Sequence, residues 1–553
     1  MERKVIAAAA LGVGALCLLP LIAVVLAAVS GSAETVAKLA QTVLWPYTWT
    51  TLVLVALVAV GSILIGTLTA WFVSTCTFPG RRFFEVALIV PLAFPAYVLA
   101  YAYTDVLDHP GIVQTTLRQV MGWGPRDYWF PEIRSLGGAA LMLTLVLYPY
   151  VYLLARAAFR MQAATPFYAA KALGASSQRA FLTVSLPMAR PAIAAGVLLV
   201  VMETIADFGT VAHFSVQTFA TGIYTSWFGL ADRGAAAQLA LGLLSFALLI
   251  AALEQVNRGR AGFAVKGRQE AFARFELRGR KALAVQVICA LPVIFGVVLP
   301  VITLVLMGMR SEQDLFSPRY VRFVQSTLTL ASIAAVVTVA AAVLLGSFQR
   351  VLRGRVSVLT LFIGRLGYAV PGGVIAVGLM VPFARFDNWL DAQMVGWFGV
   401  STGLLITGSI WLLVLAYMIR FLAAAIGSYD SGLSAVTPNM DAAARVLGRS
   451  NWGMVRSVHL PILRPSLLTA FVIVFVDTVK ELPATLILRP FNYDTLAVHA
   501  FRLASDERLE GAAVPSLMIA GVGLIPVIIL CAQVADWRRA RPQKKDAPED
   551  APF

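Results

Sequence analysis

Charge is scarce in this chain: 13% of its 553 residues are Asp, Glu, Lys or Arg, against 59% hydrophobic residues. So apolar a composition excludes an ordinary soluble protein. No G-x-x-x-x-G-K-[ST] phosphate loop occurs, so the chain does not bind ATP in the usual way. There is no H-E-x-x-H run and no nucleophile–base signature, which leaves a membrane-embedded enzyme without recognisable chemistry. Cysteine is limited to Cys17, Cys76, Cys289 and Cys531, far apart in apolar runs and without metal-ligand spacing. They read as buried, inert thiols. The outer loops are short and leave little room for a substrate-capturing domain. Energy and capture must both come from other proteins.

What the chain does have is long apolar runs. A helix needs about 20 apolar residues to cross the hydrocarbon core. Candidate spans lie at approximately 5–29, 51–76, 84–106, 137–160, 190–213, 237–257, 282–309, 326–348, 357–383, 402–426, 464–488 and 513–535. The opening MERKVIAAAALGVGALCLLPLIAVVLAAVSGSA resembles a signal peptide. Its apolar core exceeds the usual run of about 7–15 residues, so it reads as an uncleaved first span.

The net charge of +15 invites a nucleic-acid reading, which its distribution opposes. With the N-terminus in the cytoplasm, most of the 44 Lys and Arg residues fall on the cytoplasmic side. That is the positive-inside asymmetry of a membrane protein. The surplus is topology, and no nucleic-acid partner is expected.

Two polar segments share one design. AAKALGASSQRAFLTVSLPMARP begins at Ala169, and AAARVLGRSNWGMVRSVHLPILRP at Ala442. At a constant offset of 274 residues, Gly174 falls on Gly448, Ser176 on Ser450, and Pro187 on Pro461. Thr165-Pro166 and Thr437-Pro438 read as helix starts, and the glycines as stops. The spacing predicts a short helix–glycine–helix knob between spans four and five of each half. The alternative is an ordinary interfacial loop. The stretch 258–281, with eight basic residues, reads as a cytoplasmic linker. The expected domains are a first half, 1–257, with knob 165–187; the linker, 258–281; a second half, 282–536, with knob 437–461; and a cytoplasmic tail, 537–553. The fold class is an all-α polytopic membrane protein in two parallel six-helix repeats enclosing a path.

The same offset maps Glu203 onto Asp477 and Asp207 onto Glu481. Spacing of i, i+4 would stack each pair on one helical face. The first acid lies roughly 18 Å beyond Pro191 or Pro465 at helical rise, near the bilayer midplane. A charge there costs on the order of 3 kcal/mol unless it faces water, a partner or a cavity. Two readings stay open. The four carboxylates could line a pathway as a transient metal site for a hard cation, which prefers oxygen ligands. Alternatively, Lys480 and Arg365 could neutralise them structurally. His213 is a pathway ligand or an interfacial histidine, and Tyr97, Tyr101 and Tyr103 default to packing or interface anchoring. Pro91, Pro95 and Pro371-Gly372-Gly373 mark bends beside the path.

The run Ala169-Ala170, then Gly174, then Pro187, with Ala443-Ala444, Gly448 and Pro461 repeating it, resembles the EAA motif of binding-protein-dependent ABC transporter permeases. In that family the segment is the coupling helix that docks into the ATPase. The motif's glutamate is replaced by Tyr168 in one copy and by Ala442 in the other, with Asp441 just before. METIADFGTVAHF (202–214), YTSWFGLADRGAAAQLA (224–240) and KELPATLILRPFNYDTLAVHAF (480–501) resemble the fused, two-half permeases of ferric-iron uptake. Permeases for thiamine, polyamines, sulfate or phosphonates share much of this architecture. The resemblance implies an importer subunit of the bacterial inner membrane, multi-pass, with both termini cytoplasmic. Its partners would be two copies of a cytoplasmic ATPase holding ATP and Mg, a periplasmic binding protein and membrane lipid. No cofactor is expected on this chain itself. A proton-coupled secondary transporter is the rival reading, and it leaves the duplicated knobs unexplained.

Overall fold

The computed structural model describes residues 2–31, 33–162, 165–258, 275–314, 316–352, 354–433 and 435–539. Residues 259–274, most of the expected linker 258–281, residues 540–553, most of the expected tail 537–553, Arg353 and the Cys531 side chain lie outside the described residues. The rest is almost wholly helical. Within lipid, a helix satisfies every backbone polar group by itself, and long apolar runs therefore adopt it.

Among the described residues, ten helices are long and apolar enough to cross a membrane, or up to twelve with each of two bent pairs taken as one span. The first span is Lys4–Val29, the second Leu44–Thr75, the fourth Leu136–Arg160, the fifth Ser177–Ala206 and the sixth Arg233–Ile250. The seventh is Arg280–Arg310, the eighth Pro318–Leu352, the tenth Ile410–Leu433, the eleventh Asn451–Val479 and the twelfth Leu509–Ile529. The third and ninth are broken. Arg81–Ala93 meets Ala96–Met121 at 93°, and Arg355–Ala369 meets Gly372–Phe398 at 113°. Pro95 and Pro371 cause the breaks, because a proline pushes the residue before it out of the helical region. Phe94 and Val370 are accordingly extended, with ψ of 133° and 119°.

Packing does not follow the sequence halves. One buried apolar core gathers spans two to four with spans seven and twelve. The other gathers spans eight to ten with spans one and six. The first span packs on the eighth and ninth, and the seventh packs on the second, third and fourth. Each sequence half thus lends outer helices to the other. On the face opposite the knobs, Arg134 bridges Asp108 at 3.0 Å and Glu507 at 2.6 Å, a further tie between the halves. On the knob face, Cys76–Thr77 forms a two-residue parallel bridge with Phe275–Glu276. Cys17, Cys76 and Cys289 are buried and unpaired.

A candidate translocation cavity and two coupling knobs

The cavity is built where four helices break or end. The fifth span stops at Ala206, and Asp207 takes an extended ψ of 132°. Its carboxylate accepts from the backbone N–H groups of Thr210 (3.1 Å) and Val211 (3.2 Å) and from the Thr210 hydroxyl (3.1 Å). The eleventh span stops at Val479, and Glu481 repeats the arrangement. It accepts from the N–H groups of Ala484 (3.0 Å) and Thr485 (3.1 Å) and from the Thr485 hydroxyl (2.7 Å). Both acids therefore cap the short helices Gly209–His213 and Pro483–Leu488, satisfying N–H groups that have no partner inside those helices. This corrects the expected stacking of each i, i+4 pair on one helical face: the helix ends between the two acids.

All four acids nonetheless border one cavity of about 120 Å³. Glu203 accepts a hydrogen bond from Tyr368 at 3.2 Å. Asp477 pairs with Lys480 at 2.9 Å, as one of the two sequence readings expects. Arg365 does not reach the acids; it pairs with Asp430 elsewhere. Arg420 of the tenth span takes that place, 3.6 Å from Glu481. Tyr97 and Tyr150 also line the cavity. The broken spans supply Tyr97, two residues after Pro95, and Tyr368, three before Pro371. Their bends bring these polar side chains to the cavity.

Arg420 and Tyr368 were missed from sequence. A signal existed for Arg420, a lone guanidinium inside the run IWLLVLAYMIRFLAAAIG, to which the cost of intramembrane charge applies equally. His213 lies outside the cavity, buried, with Nε2 2.9 Å from the Thr104 hydroxyl. Tyr103 donates to the Phe295 carbonyl at 2.7 Å, and Tyr101 is fully buried. Among the described residues, no group of three or more His, Cys, Asp or Glu side chains is placed to hold a metal ion.

The knobs repeat closely. Helices Thr165–Ala172 and Pro438–Val446 contain Ala169-Ala170 and Ala443-Ala444. They end at Gly174 (φ +88°) and Gly448 (φ +75°). Ala175 N–H returns to the Ala170 carbonyl, and Arg449 N–H to that of Ala444, both at 3.0 Å. Such a left-handed stop suits glycine, which carries no Cβ. Ser176 and Ser450 then cap the next helical turn. Pro187 and Pro461 bring no N–H to the helical ladder, and a single π turn, Phe181–Ser185 or Val455–His459, precedes each Leu-Pro. Leu173 and Leu447, equivalent residues at the tips, are 89% and 80% exposed.

The two knobs are anchored differently. In the first, Phe167 packs among Trp71, Phe275 and Tyr168. In the second, the equivalent residue is Asp441, which is 2% exposed and bound by Arg350 (2.6 Å) and His459 (2.8 Å). Burial pushes the Asp441 carboxyl up, but hydrogen bonds and charge from Arg350 and His459 outweigh it and hold it below the usual carboxylate range.

No family model matches the chain. A membrane-spanning helical bundle with paired polar knobs nevertheless finds relatives among transport permeases. The Fe(3+)-transport system permease protein FbpB 2 of Haemophilus influenzae is 26% identical over 489 residues, 87% of this chain and 88% of that protein. The probable ABC transporter permease protein y4fN of Sinorhizobium fredii is 26% identical over 76% of this chain and 75% of its own length. The molybdenum transport system permease protein ModB of Escherichia coli is 28% identical over 36% of this chain and 89% of itself. Among solved structures, a bacterial ABC transporter involved in alginate import matches with a TM-score of 0.36 and 16% identity, over 47% of this chain and 96% of that one. By sequence the chain is similar to permease proteins of bacterial transport systems, for Fe(3+) and molybdenum among them. The likeness to the Fe(3+)-transport permease extends over most of the length of both chains.

Proposed function

We propose that this chain is the transmembrane subunit of an ATP-driven importer that carries ferric iron across a bacterial inner membrane. The observation that carries the reading is that the matched acids Glu203, Asp207, Asp477 and Glu481 all border one cavity. Buried carboxylates favour a cationic metal over an oxyanion such as molybdate, and the Fe(3+)-transport relative supports that choice.

In this reading the halves 1–257 and 282–536 are joined by the linker 258–281, and both termini, including the tail 537–553, are cytoplasmic. Two copies of a cytoplasmic ATPase, holding ATP and Mg, dock on the knobs 165–187 and 437–461. Exposed Leu173 and Leu447 at the knob tips suit apolar sockets. A periplasmic binding protein delivers the cargo to the opposite face. Closure of the ATPases moves the knobs, and the rigid spans that follow them rock about the cavity.

The test is reconstitution of the chain with its ATPase and binding protein in vesicles, offered ⁵⁵Fe(III), molybdate or 2-aminoethylphosphonate separately. ATP-dependent ⁵⁵Fe accumulation is expected. Accumulation of another cargo instead, or ⁵⁵Fe uptake driven by a proton gradient without ATP, would refute the proposal.

A further inference from the structure

The cavity is not uniformly acidic, and its charges are divided between the halves. The first half contributes Glu203 and Asp207 and no cation. The second contributes Asp477 and Glu481 together with Lys480 and Arg420. At the repeat offset Lys480 falls on Ala206, and upstream of the knobs, where the Thr-Pro starts put the halves 272 residues apart, Arg420 falls on Tyr148, so neither cation has a counterpart.

The acids are also less available than their number suggests. Asp207 and Glu481 accept three hydrogen bonds each from the helices they cap. Asp477 is engaged by Lys480. Glu203 receives one phenol hydroxyl. The donors, in contrast, are in surplus. Arg420 Nη1 is buried and makes no hydrogen bond, because Glu481 is held by its own helix at 3.6 Å. A buried guanidinium N–H without an acceptor is costly. Lys480 has three N–H donors and one carboxylate partner. Gly372 keeps this arrangement possible: a Cβ there would overlap Arg420 Nη1 and lie 2.6 Å from Glu481 Oε1.

A bare cation would meet Glu203 and, lining the same cavity, two like charges. A bare anion would meet Arg420 and Lys480 together with the acids. A metal ion still carrying an oxygen-rich anion satisfies both kinds of group. Resting on the ferric reading above, we propose that the cargo crosses this cavity as a metal–oxyanion complex. Its cation faces Glu203, and its carboxylate or phosphate oxygens accept from Arg420 and Lys480.

The test uses the complete importer in vesicles, with its ATPase and delivery protein. ⁵⁵Fe(III) is offered with [¹⁴C]citrate in one arm and with [³²P]phosphate in the other, and each labelled anion is also offered without iron. The expected result is ATP-dependent entry of ⁵⁵Fe with one labelled anion in a fixed ratio, and little entry of that anion alone. Arg420→Met should lower ⁵⁵Fe uptake at least tenfold, and Arg420→Lys should retain part of it. Iron entering without either label, anion entering equally well without iron, or wild-type uptake by Arg420→Met would each overturn the proposal. If Arg420→Met fails to assemble, the dual-label ratio in the unmodified complex decides alone. Absence of ⁵⁵Fe uptake in the unmodified complex refutes the ferric reading, and this inference with it. Iron entering unaccompanied refutes only the inference.

Discussion

At the scale of single residues, the cavity rests on charge at depth. Glu203 and Asp477 are equivalent, yet one meets a phenol and the other an ammonium. Glu203→Gln keeps size and hydrogen bonding while removing the charge. It should reduce ⁵⁵Fe uptake at least tenfold while the ATPase still co-purifies at normal yield. Normal uptake with poor co-purification would assign Glu203 to structure instead. A second residue test uses Gly372, where an added methyl has no room beside Arg420 and Glu481. Gly372→Ala should destabilise the protein by about 1–3 kcal/mol, the usual cost of overpacking. A melting temperature in detergent equal to wild type would contradict the crowding. The acids were legible in sequence because buried charge is rare in apolar runs. Their use as caps was not, because i, i+4 spacing is the same whether a helix continues or ends between the two residues. Arg420 was visible by the same rule and was overlooked because it has no partner at the repeat offset.

At the scale of elements, the two knobs share a backbone and differ in what holds them. The duplicated Ala-Ala, Gly and Leu-Pro pattern made the helices and their glycine stops legible. The anchors were not, since Phe167 and Asp441 lie outside the shared pattern and their partners are distant in sequence. Replacing Gly174 or Gly448 with Val forces a β-branched residue to positive φ, at a cost of roughly 1–2 kcal/mol. Space is open around both positions, so the strain is conformational alone. Each variant should lower the ratio of cargo moved to ATP hydrolysed, and the double variant should lower it further; unchanged ratios in all three would remove the knob assignment. The anchors differ in their response to acid. A carboxyl depressed by folding contributes stability above its unfolded pKa, about 3.9, and loses it as pH falls through the lower folded value. Protection of Pro438–Val446 against hydrogen exchange, relative to the intrinsic rate at each pH, should therefore be high at neutral pH and fall below about pH 4. Thr165–Ala172, held by the Phe167 ring, should show no matching fall. Equal acid responses would mean that the Asp441 ion pair does not anchor the second knob.

At the scale of the whole molecule, span number was legible from hydropathy and the breaks from Pro95 and Pro371. The exchange of helices between halves was not, because apolar helices carry little in their local sequence to say which neighbour they will meet. The first span illustrates this: it is the second span's neighbour in sequence and yet packs on the eighth and ninth. Ile6, Ala10, Cys17 and Val24 lie in the same core as Val374 and Leu379. Removing the first and sixth spans would strip one wall from spans eight to ten, and removing the seventh and twelfth would do the same to spans two to four. Each half alone would then expose surfaces shaped for protein contact rather than for lipid. The linker supplies proximity, but the buried contacts supply the specificity. Cutting the chain within 259–274 and expressing 1–258 and 275–553 as separate polypeptides tests this. Either fragment alone should be degraded, whereas the two together should accumulate, co-purify and restore at least part of ⁵⁵Fe uptake. The bridge between Cys76–Thr77 and Phe275–Glu276 survives such a cut and should help the fragments find register. Two fragments that each accumulate as stable monomers, with no affinity for one another, would show that the cores are not shared.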